Sequence, residues 1–136
     1  MVTISLCMIV RNEEAVLERC LHSVCNVVDE IILVDTGSED RTKEIARSYT
    51  DRIYDFAWSD DFAAARNFSF SKATMDYCMW MDADDVLLEA DTKALLELKE
   101  TLDPSVQVVM LPYHIAFDAQ GKPTFSYYRE RLIRNG

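Results

Sequence analysis

The sequence predicts a single α/β domain, in which helices flank a mostly parallel central sheet and the chain closes with a hairpin. Three observations indicate this class: short apolar runs of strand length, amphipathic segments between them, and polar turns where the runs end. A length of 136 residues suits one domain. Apolar residues make up 49% and charged residues 28% of the chain, which excludes disorder and collagen.

The first part of the chain alternates between strand and helix patterns. Residues 5–10 form an unbroken apolar run, which is typical of a strand covered on both faces. We expect Asn12 to cap the next helix, because Asn side chains accept hydrogen bonds from a first turn. The apolar stripe of that helix comprises Leu17, Leu21, Val24 and Val28. Residues 30–35 predict the second buried strand.

The middle of the chain continues the same alternation. Ser38 or Asp40 is suited to cap a short helix, and residues 52–56 have the pattern of a third strand. Residues 61–73, rich in alanine, predict another helix. Residues 76–81 form a fourth buried run, which leads directly into acidic residues.

The last part of the chain predicts one helix and an antiparallel pair. Asp91 is the expected helix cap, ahead of an apolar stripe that comprises Leu95, Leu98 and Leu102. A fifth strand is predicted over residues 106–111, where Pro112 makes an edge or a bend. Residues 113–117 and 124–133 flank a turn-forming segment and predict a hairpin.

Charge and composition exclude several classes of protein. The formal net charge of −10 predicts repulsion from nucleic acid and from anionic membranes, so we expect no nucleic-acid partner. A polyanionic ligand would need a cation between itself and so acidic a protein. The chain has 3 glycines and lacks both the P-loop and the Rossmann dinucleotide motif.

The compartment is also predicted from composition. The opening apolar run is too short for a bilayer and lacks the features of a signal peptide, so we expect no integral membrane segment and a cytoplasmic location. The four cysteines lie among apolar neighbours without a C-x-x-C pair, which favours reduced, buried thiols. These are Cys7, Cys20, Cys25 and Cys78.

Polar residues follow three of the predicted strands. In parallel sheets ligands bind beyond the carboxyl ends of the strands, so these positions are the candidate site. They are Arg11 to Glu13, Asp35 to Ser38, and Asp82 to Asp85.

The third of these segments places Asp82, Asp84 and Asp85 directly after an apolar strand. Carboxylates this close either shift a pKa upward or bind a cation, and oxygen ligands without His or Cys suit Mg²⁺ or Mn²⁺. The alternative is a solvated acidic turn in which Asp85 caps the next helix. A calcium EF-hand is disfavoured, because Val86 and Leu87 occupy positions that need a ligand and a glycine.

Asp35 and Arg66 are further candidates. Asp35 ends a strand before Gly37, where its carboxylate could accept hydrogen bonds from a base or a ribose; a purely turn-forming role is the alternative. Arg66 lies among alanines and could clamp a phosphate, or it could pair with Asp60 or Asp61. The nearby aromatic cluster is expected to be core; it comprises Phe56, Trp58, Phe62, Phe68 and Phe70.

Four segments together resemble the family-2 glycosyltransferases of the GT-A fold, which use nucleotide sugars. They are 5–14 (SLCMIVRNEE), 30–42 (EIILVDTGSEDRT), 56–69 (FAWSDDFAAARNFS) and 80–87 (WMDADDVL). The D-x-D pattern alone is unspecific, but the three motifs VDTGSxDxT, DFAAARN and DADD in this order are specific. The resemblance covers essentially the whole chain.

The resemblance implies roles for particular residues. Asp35 would contact the nucleotide base, expected to be uracil, and Val10, Arg11 and Asn12 would line the same pocket. Asp82 would face the ribose, and Arg66 would help hold the nucleotide. The metal, Mn²⁺ or Mg²⁺, would be bound by Asp84, with Asp85 close by.

The implied reaction moves a sugar from a UDP-sugar to an unknown acceptor, as in hexosyltransferases. Inversion at the anomeric carbon needs a general base, which by the resemblance lies beyond Gly136, so we expect a domain of residues 1–136 truncated on its C-terminal side. Two alternatives stay open. One is a catalytically silent nucleotide-sugar-binding module. The other is a phosphohydrolase of the haloacid dehalogenase type, although that class carries its D-x-D on the first strand.

Overall fold

The computed structural model describes residues 1–58, 61–103, 105–117 and 123–134, with side chains described outside residues 90 and 108–131. The strands, in chain order, are β1 Ile4–Val10, β2 Glu30–Asp35, β3 Ile53–Asp55, β4 Tyr77–Trp80, β5 Val108–Phe117 and β6 Pro123–Arg134. The helices are α1 Leu17–Val24, α2 Thr42–Arg47, α3 Phe62–Ser71 and α4 Glu89–Thr101.

The strands form one sheet in the order β3-β2-β1-β4-β6-β5 within the described residues. Strand β1 pairs in parallel with β2 on one side and with β4 on the other, and β2 pairs in parallel with β3. Strand β6 returns antiparallel to β4, and β5 is antiparallel to β6. The predicted mostly parallel sheet with a C-terminal hairpin is confirmed.

The two faces of the sheet have separate cores because side chains alternate along each strand. On one face Leu6 and Met8 of β1 pack in a cluster that includes Leu17 of α1 and Leu95 of α4. On the other face Cys7 of β1 packs with Ile32 and Cys78, against half-buried residues that include Phe70 of α3. Helices therefore cover both faces of β1, as its unbroken apolar run predicts.

The predicted cap of α1 is wrong. Asn12 has a left-handed φ of 52°, and α1 begins at Leu17 with Val16 in the capping position. Instead of accepting from a first helical turn, the Asn12 Oδ1 accepts the backbone N–H of Glu39, and the Asn12 backbone N–H donates to the Ser38 hydroxyl. Tertiary hydrogen bonds outcompete local capping here, and Asn is one of the few side chains that tolerates the left-handed region.

The predicted caps on two other helices are also wrong. Neither Ser38 nor Asp40 caps α2, because Arg41 has the capping position, although Asp40 accepts a hydrogen bond from the backbone N–H of Thr42, the first residue of α2. Asp91 is not a cap, because α4 begins at Glu89 after Leu88 and Asp91 lies in its first turn. The helix dipole favours an acid in that turn as well, so the sequence pattern did not separate the two positions.

The hairpin strands differ from prediction in length. Strand β5 continues through Pro112 to Phe117, and the shorter predicted strands 106–111 and 113–117 are one element. Proline is accommodated because β5 is the last strand in the sheet order, where one edge needs no hydrogen bonds. Of the predicted turn at residues 120–123, residues 120–122 lie outside the described residues, and Pro123 begins β6.

All four cysteines are free; Cys7, Cys20 and Cys78 are buried, whereas Cys25 is half-buried. In the described part of the chain, no helix combines the length and apolar composition that crossing a bilayer requires.

Candidate functional site

The candidate site lies where the chain changes direction within the sheet. From β1 the chain moves to β2 on one side, and it returns to β4 on the other side of β1. Open α/β sheets bind ligands in the crevice at such a switch point. A cleft runs here between β1, the end of β4 and α3. Its walls include Cys7, Ile9, Phe62, Arg66, Trp80 and Asp82.

Asp35 ends β2 with a buried carboxylate that is only half satisfied. Its Oδ1 accepts hydrogen bonds from the backbone N–H groups of Gly37 at 2.9 Å and Ser38 at 2.8 Å. Gly37 permits this turn with a φ of 115°. The residue is 2% exposed, and its Oδ2 has no hydrogen-bond partner among the described residues. A buried acceptor left open in this way is costly and indicates a place for a ligand donor.

The loop after β1 is braced against the loop after β2. The Asn12 Oδ1 accepts a hydrogen bond from the backbone N–H of Glu39 at 2.8 Å. The backbone N–H of Asn12 donates to Ser38 Oγ at 2.9 Å. The carbonyl of Val10 accepts the Thr36 N–H at 3.1 Å. Val10 is buried at this junction and Arg11 is exposed. The Asn12 side chain therefore fixes the geometry of the two loops beside Asp35.

A second layer of hydrogen bonds extends this brace. The backbone N–H of Glu13 donates to Thr42 Oγ1 at 2.8 Å, and that of Glu14 donates to Asp40 Oδ2 at 3.2 Å. The Thr42 hydroxyl also hydrogen-bonds to Asp40, which lowers the pKa of that carboxyl. These contacts join residues far apart in sequence, so the sequence pattern alone did not predict them.

The aspartates after β4 converge as the sequence predicts. Asp82, Asp84 and Asp85 each offer a carboxylate oxygen, and these oxygens lie within 4.8 Å of one another. Asp82 and Asp84 are exposed and Asp85 is half-buried. Such a set of hard oxygen ligands has the chemistry that Mg²⁺ and Mn²⁺ prefer.

The turn that carries these aspartates is closed by its own hydrogen bonds. The Asp82 N–H donates to Asp85 Oδ2 at 2.9 Å, and the Asp85 N–H donates to the Asp82 carbonyl at 3.0 Å. Asp85 thus closes its own turn and does not cap α4. From α1, the Cys20 thiol donates to the Asp82 carbonyl at 3.6 Å, and Arg19 donates to the Asp84 carbonyl at 3.4 Å.

Glu13 is a further acid at the candidate site, in a strand-end segment that the sequence indicated without giving this residue a role of its own. Its pKa is raised, first by desolvation and then by the charges of Asp84, Asp40 and Asp82. Glu13 is therefore affected by acids of two loops, Asp40 after β2 and Asp82 and Asp84 after β4. Like charges this close repel one another, and a cation bound among them would relieve that repulsion.

Arg66 contacts two aromatic rings on the wall of the cleft. Its guanidinium carbon is 4.8 Å from the ring centre of Phe62 and 4.5 Å from that of Trp80. Asp61, one of its predicted ion-pair partners, caps α3 by accepting the Ala64 N–H at 3.1 Å, and Asp60 lies outside the described residues.

The aromatic cluster expected in the core is divided. Phe56 and Phe68 pack together, with ring centres 5.0 Å apart, and both are half-buried together with Phe70. Trp58 is 41% exposed and Phe62 is 46% exposed, so the core prediction is wrong for these two side chains. Helix α3 turns Phe62 toward the cleft, and periodicity did not indicate which face of the helix would be covered.

The general base is the one part of the predicted site that the described residues do not include. The family resemblance places this base beyond Gly136, and Gly136 itself lies outside the described residues, as does Asn135. The described residues at the strand ends are therefore those expected to bind the donor and the metal ion. The position of the base, and the truncation of the domain of residues 1–136, stay predictions.

The sheet order, the hairpin and the acidic turn together define a GT-A glycosyltransferase fold. Structures of glucosyl-3-phosphoglycerate synthase from Mycobacterium tuberculosis have this fold. The UDP complex aligns with a TM-score of 0.67 and 23% identity over 85% of this chain and 46% of that chain. Another, with Mn²⁺ and UDP-glucose, aligns with a TM-score of 0.54 and 26% identity over 61% of this chain and 33% of that one.

The chain belongs to glycosyl transferase family 2, whose family model matches residues 5–135. It is 47% identical over 136 residues to a TPR repeat-containing protein of Synechococcus elongatus, covering 99% of this chain and 32% of that protein. It is 30% identical over 131 residues to the lipopolysaccharide core biosynthesis glycosyltransferase LpsC of Rhizobium meliloti, covering 92% and 48%. The chain therefore spans less than half the length of either relative, and the family resemblance of the sequence is confirmed.

Proposed function

We propose that this chain forms the donor-binding half of a metal-dependent glycosyltransferase that transfers a sugar from a UDP-sugar to an acceptor. One observation carries the proposal. The buried, unpartnered oxygen of Asp35 lies at the same edge of the sheet as the converging carboxylates of the Asp82 to Asp85 turn. A nucleoside diphosphate has a hydrogen-bond donor at its base and a polyanion at its other end, which matches these two features.

Asp35 recognises the base in this proposal. Its Oδ1 is occupied by two backbone N–H groups, so Oδ2 is the atom that accepts the ring N–H of uracil. Val10, Arg11 and Asn12 line the base pocket, whose shape depends on the hydrogen bonds between the two loops. Because these hydrogen bonds order the pocket before the ligand binds, binding costs little conformational entropy.

Asp84 and Asp85 hold the divalent ion, Mn²⁺ or Mg²⁺, and Asp82 faces the ribose. Three convergent carboxylates, in a ligand cluster that includes neither an imidazole nor a thiol, suit such an ion. When bound, the ion neutralises charge on the diphosphate leaving group. Arg66, on the wall of the same cleft, binds the diphosphate through its N–H groups.

The comparisons support the choice of donor. The Mycobacterium tuberculosis synthase binds UDP-glucose together with Mn²⁺, and it aligns with this chain over 61% of the length. The net charge of −10 supports the need for an ion between protein and diphosphate. A cytoplasmic location stays a prediction.

Calorimetry with UDP, in the presence and absence of Mn²⁺, tests the proposal. We expect UDP to bind with Mn²⁺ and to bind far more weakly without it. A donor-hydrolysis assay on the same protein then separates an enzyme from a silent nucleotide-sugar-binding module, which would bind UDP-sugar without turning it over. Absence of UDP binding at saturating Mn²⁺ would contradict the proposal.

A further inference from the structure

The contact of Arg66 with two aromatic rings is a feature of the cleft that the proposed function does not explain. Phe62 lies one helical turn before Arg66 on α3, and Trp80 is the last residue of β4. We propose that Phe62 and Trp80 are positioning residues, which hold the Arg66 guanidinium edge-on toward the diphosphate of the donor. This inference rests on the proposed function and adds two residues that determine recognition of the diphosphate.

The geometry of these contacts restricts where Arg66 can donate hydrogen bonds. Ring centres at 4.8 Å and 4.5 Å from the guanidinium carbon are within the range of cation–π contacts. All five N–H donors of a guanidinium lie in its plane. Phosphate oxygens therefore bind along this in-plane edge, and the contacts with two rings limit the rotation of the guanidinium. An edge of this kind is suited to bidentate binding of phosphate oxygens.

The ring contacts also fix Arg66 relative to the acidic turn. Trp80 precedes Asp82 by one buried residue, Met81, and all of these residues line the cleft together with Arg66. The contact between Arg66 and Trp80 therefore joins α3 to the strand that leads into the aspartates. A diphosphate bound at the aspartates is consequently within the part of the cleft that Arg66 faces.

The exposure of Phe62 separates this role from a role in folding. Its side chain is 46% exposed, whereas a phenylalanine that stabilised the core would be buried. Replacing Phe62 by Leu keeps an apolar side chain on α3 and removes the ring, so we expect the melting temperature to stay nearly unchanged. Phe62→Tyr keeps the ring and is the conservative variant.

The test is a double-mutant cycle on UDP affinity, measured by calorimetry with saturating Mn²⁺. We expect Phe62→Leu to weaken UDP binding about threefold to tenfold, the range of a partly exposed cation–π contact. Phe62→Tyr should retain the parent affinity, and uridine, which lacks the diphosphate, should bind Phe62→Leu and the parent equally. Leu96→Ala, at a similarly exposed apolar residue on α4, is the matched control and should not change UDP affinity.

The Arg66→Ala background completes the cycle. If Phe62 acts by positioning Arg66, Phe62→Leu has no further effect on UDP affinity once Arg66 is absent. An effect of Phe62→Leu that persists in this background, or an unchanged UDP affinity in the single variant, would overturn the inference alone. A parent protein that binds no UDP with Mn²⁺ would overturn the proposed function, and the inference with it.

Discussion

Strand β2 carries a carboxylate at each end, and the two differ in how well they are satisfied. At the amino end, Glu30 forms a salt bridge with Arg52 at 2.5 Å and accepts hydrogen bonds from the hydroxyls of Ser5 and Thr74. At the carboxyl end, Asp35 has one saturated oxygen and one buried oxygen without a partner in the described residues. Both side chains are shielded from water, so burial alone does not explain the difference.

The same contrast extends to the neighbouring strands. Asp29, directly before β2, forms a salt bridge with the buried Lys99 at 2.8 Å. It also accepts a hydrogen bond from the backbone N–H of Ile4, the first residue of β1, at 2.9 Å. After β4, by contrast, three aspartates converge within 4.8 Å. Acids at the amino edge stabilise the fold by joining distant segments. Acids at the carboxyl edge are gathered at a cost in repulsion, which a protein tolerates where a ligand relieves it.

The largest expected effect is that of Asp84→Asn. Removing a charged ligand should lower the Mn²⁺-dependent affinity for UDP by about 100-fold or more, with little change in stability because the side chain is exposed. Calorimetry with UDP and Mn²⁺ measures the loss. Asp51→Asn, at an exposed acid before β3, is the control and should bind as the parent does. Unchanged metal-dependent affinity in Asp84→Asn would contradict the role of this residue.

At the opposite edge, Glu30→Gln should affect folding and not binding. The Glu30 side chain is 7% exposed, while Arg52 is 35% exposed, so the pair is partly screened. We expect the free energy of unfolding in urea to fall by about 2 kcal/mol, below the loss typical of a fully buried pair. The UDP affinity of the folded variant should be unchanged. A loss of UDP binding without a loss of stability would contradict the assignment of Glu30 to folding and of the carboxyl edge to binding.

Asp35→Asn sharpens the comparison within one strand. The amide oxygen can still accept the Gly37 and Ser38 N–H groups, but the amide nitrogen cannot accept a hydrogen bond from the base. We expect uridine and UDP affinity to fall about tenfold, and stability to fall as well, because the amide NH₂ would be buried where no acceptor is described. Metal binding, followed by Mn²⁺ titration, should stay intact. If metal and uridine affinity decline together, Asp35 is a metal ligand or a structural residue.

Glu13→Gln should have the smallest effect, visible as a dependence of stability on pH. A carboxyl whose pKa is raised on folding lowers stability as pH rises from the unfolded to the folded pKa. The pKa of Glu13 is raised by desolvation and by neighbouring acids. Without metal, the variant should therefore melt slightly higher than the parent at neutral pH. That advantage should vanish below about pH 4, where the carboxyl is protonated in both states. A constant advantage at all pH values would contradict this explanation.

Much of the candidate site is visible in the sequence because its residues follow apolar runs directly. Asp35 and the aspartates from Asp82 onward are strand-end residues, and they lie at one edge of the sheet because β2 and β4 both pair in parallel with β1. The ring contacts of Arg66, by contrast, join a helix to a strand end, and Phe62 appeared as one more apolar residue of α3. Glu13 was assigned to a helix that begins only at Leu17.

The sequence by itself determined the alternation of strands and helices, the two-sided burial of β1, and the acidic strand ends, because periodicity and local polarity are properties of neighbouring residues. Only the tertiary structure decided which carboxylates find partners. Glu30 pairs with Arg52, which is 22 residues away in the sequence. Asn12, expected to cap a helix, instead hydrogen-bonds to Ser38, which is 26 residues away. Such contacts depend on how the elements pack, and that packing separates acids that stabilise the fold from acids left open toward a ligand.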